Sequence, residues 1–101
     1  MSTPYKNIKV TITKIIALHQ PTFVEFYFTD IHGKKHIFHD KIPIVSDAYY
    51  IEQKDLPAEG TLSCTVKEKR KHSYIIDTDT PDHVESLDGS TVFEVTEDKI
   101  F

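Results

Sequence analysis

The sequence has few of the residues that build disulfide scaffolds, membrane spans and flexible linkers. Its one cysteine, Cys64, has no second cysteine to pair with. No apolar run long enough to cross a bilayer is present, and we find no leader with a charged start and an apolar centre. The three glycines fall at expected turns, and no low-complexity tract separates two parts of the chain. We therefore expect a single β-barrel-like domain over residues 1–101, located in a reducing cytoplasm without a membrane segment.

β-branched and aromatic residues supply most of the apolar content, and they alternate with polar residues over short stretches. Alternation with a period of two is typical of strands that bury one face. Between Ile8 and Leu18 only Lys14 interrupts it, which predicts a strand with a bend at Lys14. The residues of this strand expected to face the core are Ile8, Val10, Ile12, Ile16 and Leu18. With no convincing helical pattern, the sequence predicts an all-β fold, a small antiparallel barrel or closed sheet of six to seven strands.

The segment Asp30-Ile31-His32-Gly33-Lys34 has the residues of a tight hairpin turn. Aspartate at the first position and glycine at the fourth fit a type I turn that ends in a G1 bulge. With Asp30 opposite Lys34, the two flanking strands are placed in one register. This register pairs Val24 with Asp40, Glu25 with His39, Phe26 with Phe38, Tyr27 with Ile37, and Phe28 with His36.

Two further connections are predicted from a proline and from a basic run. Pro43 has no amide hydrogen to donate, so residues 42–45 are expected at a sheet edge or a corner. Residues 46–53 fit either a capped short helix or a strand, and their Tyr-Tyr-Ile sequence favours a strand. A hairpin that turns at Lys69-Arg70-Lys71 would place Val66 opposite Tyr74 and Cys64 opposite Ile76.

The segment from Gly33 to Pro43 combines a turn glycine, an alternation of polar and aromatic residues, and an acidic-Lys-x-Pro exit. Following an aromatic strand, this pattern resembles one carried by short stand-alone bacterial β-barrel proteins without an assigned activity. The resemblance covers this part of the chain and implies a small bacterial β-barrel. It carries over no catalytic residue.

Charge is distributed unevenly along the chain. Residues 1–71 carry eleven Lys and Arg against eight Asp and Glu, whereas residues 72–101 carry one against eight. A surface of one sign raises association rates with partners of the opposite sign, so Asp79 and Asp82 are candidate contacts for a basic partner. The one basic run, residues 67–72 beside Tyr74, is interpreted as a solvated hairpin tip. We do not expect the protein to bind nucleic acid, because its overall balance is acidic.

Three histidines, His32, His36 and His39, lie close together in the sequence, but their predicted positions do not converge. His36 and His39 have opposite parity and leave opposite faces of the strand, whereas a metal ion needs ligands that meet at one point. Glu25 and His39 face each other in the predicted register. A two-ligand site completed by a partner therefore stays open as an alternative to a simple cross-strand polar pair.

Other catalytic and metal-binding patterns are absent from the sequence. The loop of residues 77–89 has carboxylates, but Asp82 and Asp88 stand where an EF-hand needs glycine and glutamate. Cys64 is expected in the core, and there is no nucleophile elbow or phosphate-binding glycine loop. We predict no cofactor, no metal site and no enzymatic activity.

These observations favour a non-enzymatic module that binds another protein. Exposed aromatic residues among polar neighbours are typical of binding surfaces. The predicted contacts are Phe23, Tyr27 and Ile37 on one face of the central hairpin, with Asp79 and Asp82 as a second contact. The alternative for the hairpin face is that another part of the same barrel covers it.

Two other functions remain as alternatives. A barrel of this size could hold a small molecule, with His36 and Asp40 as polar groups beside Phe28 and Val24. Small size and negative charge are also compatible with an immunity-type inhibitor of a basic toxin.

Overall fold

A single curled sheet dominates the fold. The computed structural model describes residues 5–18, 21–47 and 51–101. In this part of the chain, six antiparallel strands lie in the spatial order β3-β2-β1-β4-β5-β6. The strands are β1 (Tyr5–Ala17), β2 (Phe23–Thr29), β3 (Lys35–Lys41), β4 (Ala58–Lys69), β5 (Ser73–Asp77) and β6 (Val92–Thr96). Short 3₁₀ helices cover Ile42–Ile44, Gln53–Asp55 and Glu97–Lys99.

The sheet forms an open half-barrel, so the predicted all-β class is confirmed and the predicted closure is wrong. β3 and β6 are its two edges. Connecting segments link to both edge strands. The amide of Ile31, in the β2–β3 turn, donates a hydrogen bond to the carbonyl of Glu94 in β6 at 2.9 Å. The amide of Leu87 similarly donates to the carbonyl of Ile37 in β3 at 2.8 Å. Leu87 belongs to residues 78–91, which we call the acidic loop. This loop occupies the edge of β3, where a further strand would have to pair to close the barrel.

The β2–β3 hairpin has the predicted register. Phe26 lies opposite Phe38, Tyr27 opposite Ile37, and the other three pairs also match. Gly33 has a φ of +80°, which glycine adopts without steric cost, and its amide donates to the carbonyl of Asp30 at 3.0 Å. The rings of Phe26 and Phe38 stack with centroids 5.2 Å apart. A locally specified turn therefore places two aromatic residues together in the core.

β1 bends where Lys14 interrupts the sequence pattern. The pairing of β1 with β2 shifts between Ile12 and Lys14, and it shifts again between Ile15 and Ala17. A bulge inserts one residue on one strand and changes which side chains face the core. The predicted bend is confirmed, but the predicted burial of Ile16 and of Leu18 is wrong, because both are exposed.

The β4–β5 hairpin turns later than predicted. The amide of Arg70 donates to the carbonyl of Ser73 at 2.8 Å, so Lys71 and His72 form the tip. Val66 lies opposite Ile76, and an irregularity follows before Lys69 pairs with Tyr74. The predicted pairs of Val66 with Tyr74 and of Cys64 with Ile76 are therefore wrong. Because this turn has no glycine to specify its geometry, packing between the strands determines the register.

The core lies on the concave side of the sheet. Cys64 is buried there, as predicted. β3 is an edge strand that ends at Lys41. Pro43 follows in a 3₁₀ helix, where its missing amide hydrogen breaks no hydrogen bond between strands. Residues 48–50, which include Tyr49 and Tyr50 of the predicted strand, lie outside the described residues; the described positions on either side are not strand. The largest fully buried apolar side chains are Ile8, Ile12, Phe26, Phe38, Ile42, Leu62 and Ile76.

The helices of the described residues are single 3₁₀ turns. Among the described residues, no helix has the length and apolar character that a bilayer crossing requires.

Candidate functional site

The three predicted contacts on the hairpin lie on the convex face of β2 and β3, and all are half-buried. Tyr27 and Ile37 are cross-strand partners. Lys35 places its Nζ atom 4.2 Å from the centroid of the Tyr27 ring, so a neighbouring side chain covers part of that ring. Phe23 lies apart from this pair, at the start of β2, where it pairs with Ala17 of β1. The structure thus brings Tyr27 and Ile37 together and places Phe23 near the end of β1.

An exposed apolar surface lies beside Phe23. We call it the apolar end and define it as residues 15–18 together with Ile51. Ile16 is 40% exposed and Leu18 is 76% exposed. Together with Glu52 and Gln53, these residues line an open groove of about 570 Å³. The sequence pattern assigned Ile16 and Leu18 to the core, and the interruption at Lys14 was the signal that their orientation changes.

The acidic loop is held in place by internal contacts. The hydroxyl of Thr78 donates to the carbonyl of Val84 at 2.7 Å, and both residues are buried. Ser86, also buried, accepts through its Oγ atom from the amide of Ser90 at 3.1 Å. With the bond from Leu87 to β3, these contacts fix the loop against the sheet. Its carboxylates are therefore presented from an ordered backbone.

The carboxylates of the acidic loop have different surroundings. Asp79, a predicted contact, has a side chain that is 58% exposed and lies 3.6 Å from Nδ1 of His83. Hydrogen bonds from the side chains of Ser86 and Ser90 and from the amide of Ser90 lower the pKa of Asp88 to about 2. Asp82, the other predicted contact, is exposed and lines a groove on the side of the sheet. The structure therefore does not bring Asp79 and Asp82 into one cluster with the hairpin contacts.

The groove beside Asp82 has carboxylates from three separate segments. We call it the acidic groove and define it by Asp47, Glu59 and Asp82, with Pro43 and Ile44 as an apolar wall. Its volume is about 410 Å³. Asp47 follows the first 3₁₀ helix, Glu59 lies on β4, and Asp82 lies in the acidic loop. The three positions are far apart in the chain, so no local sequence pattern predicts that they line one groove.

A histidine–carboxylate pair is buried at the end of the β2–β3 hairpin. Nε2 of His36 lies 2.8 Å from Oδ2 of Asp30, and the two side chains are only 8% and 15% exposed. Desolvation raises the pKa of Asp30, but hydrogen bonds from His36 and from the amides of Lys34 and His32 outweigh it and lower the pKa overall. The His36 ring also packs 4.6 Å from the ring of Phe93. His36 lines a small pocket between β3 and the acidic loop, and neither residue of the pair lines the groove at the apolar end or the groove beside Asp82.

A second pair, formed by His39 and Glu25, lies on the opposite face of the hairpin. Nε2 of His39 is 2.9 Å from Oε1 of Glu25, and both side chains are partly exposed. The hydrogen bond from His39 lowers the pKa of Glu25 despite some desolvation. The predicted opposite orientation of His36 and His39 is confirmed. Within residues 5–18, 21–47 and 51–101, no three metal-binding side chains come together.

The basic hairpin tip is paired with carboxylates of the same protein. Lys67 lies 3.7 Å from Asp77, and Lys69 lies 3.3 Å from Glu97. Arg70 contacts Glu68 and, at 3.3 Å, Glu94. These contacts neutralise much of the positive charge that a phosphate backbone would need.

Cys64 has the environment of a structural thiol. It is fully buried on β4. Burial raises the pKa of the Cys64 thiol to about 11. A thiolate is the reactive form of cysteine, so this side chain is unsuited to nucleophilic chemistry near neutral pH.

Comparisons of the chain with protein-family models, with curated proteins and with solved structures give no match.

Proposed function

We propose that the protein is a non-enzymatic module that binds another protein through the apolar end and the adjoining Phe23. The observation that carries this proposal is the exposure of Ile16 and Leu18, 40% and 76%, beside an open groove. Exposing adjacent apolar side chains to water is unfavourable by about 25 cal/mol per Å² of apolar area. Such surfaces mark binding sites when they form a patch. The expected occupant is an apolar anchor side chain on the surface of a partner protein.

The polar groups inside the sheet favour this function over a small ligand held in the barrel. His36 is bound to Asp30, and the Oδ1 atom of Asp40 accepts the amide of Lys41 at 2.8 Å. His36 and one carboxylate oxygen of Asp40 are therefore already bonded within the protein. The interior beside them is filled by aromatic rings, with Phe28 and Phe93 in edge contact at 5.1 Å.

In this proposal, the other predicted contacts enlarge the protein-binding surface beyond the apolar end. Tyr27 and Ile37 continue along the convex face from Phe23, and Lys35 must move aside for a partner to reach the Tyr27 ring. Asp79 is exposed in the acidic loop and can steer a basic partner through its charge. We assign the apolar end the larger share of affinity, because anchors in apolar grooves dominate binding energy.

The test is capture of partner proteins from the native lysate by the tagged protein, at low and moderate salt. The double variant Ile16→Ser/Leu18→Ser removes both exposed apolar side chains. Tyr5→Ser is the matched control, because Tyr5 is 46% exposed and lies at the other end of the same strand. Thermal unfolding verifies that both variants are folded.

We expect one protein to bind the wild type and Tyr5→Ser equally and to bind the double variant at least about tenfold more weakly, a loss of about 1.4 kcal/mol. A captured protein that binds all three forms alike would show that the apolar end is not the contact. If no protein is captured at either salt concentration, the proposed function is wrong.

A further inference from the structure

The end of β1 extends beyond the strand on one of its two sides. β2 and β4 lie on opposite sides of β1. Pairing with β2 continues to Ala17, whereas pairing with β4 ends where Ile12 lies opposite Ala58, the first residue of β4. Within the described ranges, residues 13–17 therefore have a strand partner on the β2 side only.

The backbone of residues 13–17 forms an open sheet edge on the other side. Among the described residues, no backbone hydrogen bond joins this part of β1 to a segment other than β2. An open edge presents N–H and C=O groups to which a further strand can bind. Proteins commonly recognise extended segments in this way, with main-chain hydrogen bonds for affinity and side-chain pockets for specificity.

The groove of the apolar end lies along this edge. Its walls are residues 15–18 of β1 and residues 51–53, which precede β4 in the chain. The groove therefore lies on the side of β1 where β4 would continue. We propose that the partner protein enters this groove as an extended segment of about five residues and adds a strand to β1. This inference rests on the proposed function, because it specifies how the partner binds the apolar end.

The two outer edges of the sheet are less suited to a further strand. The carbonyl of Ile37 in β3 accepts the amide of Leu87, and the carbonyl of Glu94 in β6 accepts the amide of Ile31. Charged side chains on an edge also oppose pairing with another chain. β3 has a lysine at each end, whereas residues 15–18 of β1 are Ile-Ile-Ala-Leu. The end of β1 thus has the composition of an edge that accepts a strand.

The side chains along the edge indicate the chemistry of the segment. Ile16 and Leu18 are exposed, and Ile15 and Ala17 are half-buried. Apolar side chains on neighbouring strands stabilise each other across the pair, so we expect β-branched or aromatic residues in the partner segment. Lys14 is exposed where the open edge begins, which favours an acidic residue at the corresponding end of the segment.

A strand of different sequence suits this edge better than a second copy of the chain. Two β1 ends that pair with each other would bring both Lys14 side chains into one ladder about 17 Å long. Like charges within a strand pair are destabilising. A partner segment with an acidic end replaces this repulsion with attraction.

The test is NMR of the ¹⁵N-labelled protein during titration with a synthetic peptide. The peptide has five central residues of alternating valine and threonine, a glutamate at each end, and blocked termini. In the control peptide the five central amides are N-methylated, which removes hydrogen-bond donors and keeps the side chains.

Two variants of the protein place a charge on different strands. Ile16→Lys puts it on the open edge, and Val92→Lys is the matched control, because Val92 is 50% exposed on β6 and does not line the groove. The added lysine attracts the acidic peptide in both variants, so weaker binding to Ile16→Lys would occur despite that attraction. Thermal unfolding verifies that both variants are folded.

We expect the valine–threonine peptide to shift the amide signals of residues 14–17 and to slow hydrogen exchange of amides among them. N-methylation of the peptide and Ile16→Lys should each weaken binding at least about tenfold, whereas Val92→Lys should weaken it less than about twofold.

Three results would overturn the inference. Equal binding of the two peptides at residues 14–17 would mean that the groove recognises apolar side chains without strand pairing. Binding at β3 or β6 instead, or at no edge, would show that the end of β1 does not accept a strand. Line broadening at residues 14–17 that increases with protein concentration, without peptide, would identify a second copy as the occupant.

The outcome is separable from that of the proposed function. A partner that is lost with Ile16→Ser/Leu18→Ser, together with an edge that binds neither peptide, overturns the inference alone. An edge that binds only the unmethylated peptide, in a protein that captures no partner, leaves the strand recognition correct and contradicts the proposed function.

Discussion

The Nε2 atom of His36 on β3 lies 2.8 Å from the Oδ2 atom of Asp30 at the start of the β2–β3 turn. The other carboxylate oxygen of Asp30 accepts the amides of His32 and Lys34 at 2.8 and 3.0 Å. The His36 ring contacts Phe93 on β6, the opposite edge of the sheet. One carboxylate therefore connects the turn, one edge strand and, through the imidazole, the other edge.

We predict that Asp30→Asn lowers the free energy of unfolding by about 1–3 kcal/mol, because it removes a largely buried acceptor of charge-assisted hydrogen bonds. Urea denaturation near neutral pH measures the change. Glu25→Gln is the matched control, since it alters the more exposed pair with His39 and should cost less than about 1 kcal/mol. Equal losses in the two variants would mean that burial of the Asp30 pair adds no stability.

The stability supplied by Asp30 should depend on pH. The pKa of Asp30 is lower in the folded protein than its ordinary value of 3.8. A lowered pKa in the folded state stabilises the protein above the unfolded value, and this contribution is lost as the pH falls through the folded value. The difference between wild type and Asp30→Asn should therefore be present at about pH 5 and shrink below about pH 4. Urea denaturation of both proteins at about pH 5 and about pH 2.5 checks this; an unchanged difference would contradict it.

Local sequence chemistry explains why one hairpin was predicted and the other was not. In the β2–β3 turn, Asp30 and Gly33 have the side chain and the backbone freedom that the turn requires, so register follows from a few adjacent residues. The β4–β5 turn has no glycine, and its tip at Lys71 and His72 lies beyond the predicted position. The irregularity after Val66 then shifts the pairing further. Such a bulge depends on packing across the sheet, which a single strand does not reveal.

Barrel closure and the candidate surfaces depend on contacts between distant residues. The predicted closure of the barrel is wrong, because Leu87 of the acidic loop forms a hydrogen bond with the edge strand β3. The sequence pattern did not predict the apolar end, because the alternation of core-facing and solvent-facing residues was extended past Lys14 to Ile16 and Leu18. All five predicted contacts stay predictions. The structure places Phe23 opposite Ala17 of the apolar end, and it places Asp82 in the lining of a separate groove.

Cys64 should be almost unreactive while the protein is folded. Its pKa of about 11 is two units above the ordinary value of 9.0, which reduces the thiolate fraction about 100-fold near pH 8. We expect an aromatic disulfide reagent to react more than about 100-fold faster in urea than with the native protein. Thr61→Cys in a Cys64→Ala background is the control, because position 61 is exposed on the same strand. Rapid reaction of native wild type, at the rate of the control, would contradict the prediction.

Gly60→Ala should loosen the contact between β4 and the segment after β3. The added Cβ would lie 2.5 Å from the carbonyl oxygen of Val45, and that oxygen already accepts the amide of Thr61. The backbone must shift to relieve the overlap, and overpacking of this kind typically costs about 1–3 kcal/mol. We expect faster hydrogen exchange at the Thr61 amide and a lower free energy of unfolding. Gly89→Ala is the control, because Gly89 has a φ of +84° with open space around it. That variant should be strained yet leave Thr61 exchange unchanged, and similar exchange at Thr61 in both variants would show that the close approach of Val45 is not the reason for glycine at position 60.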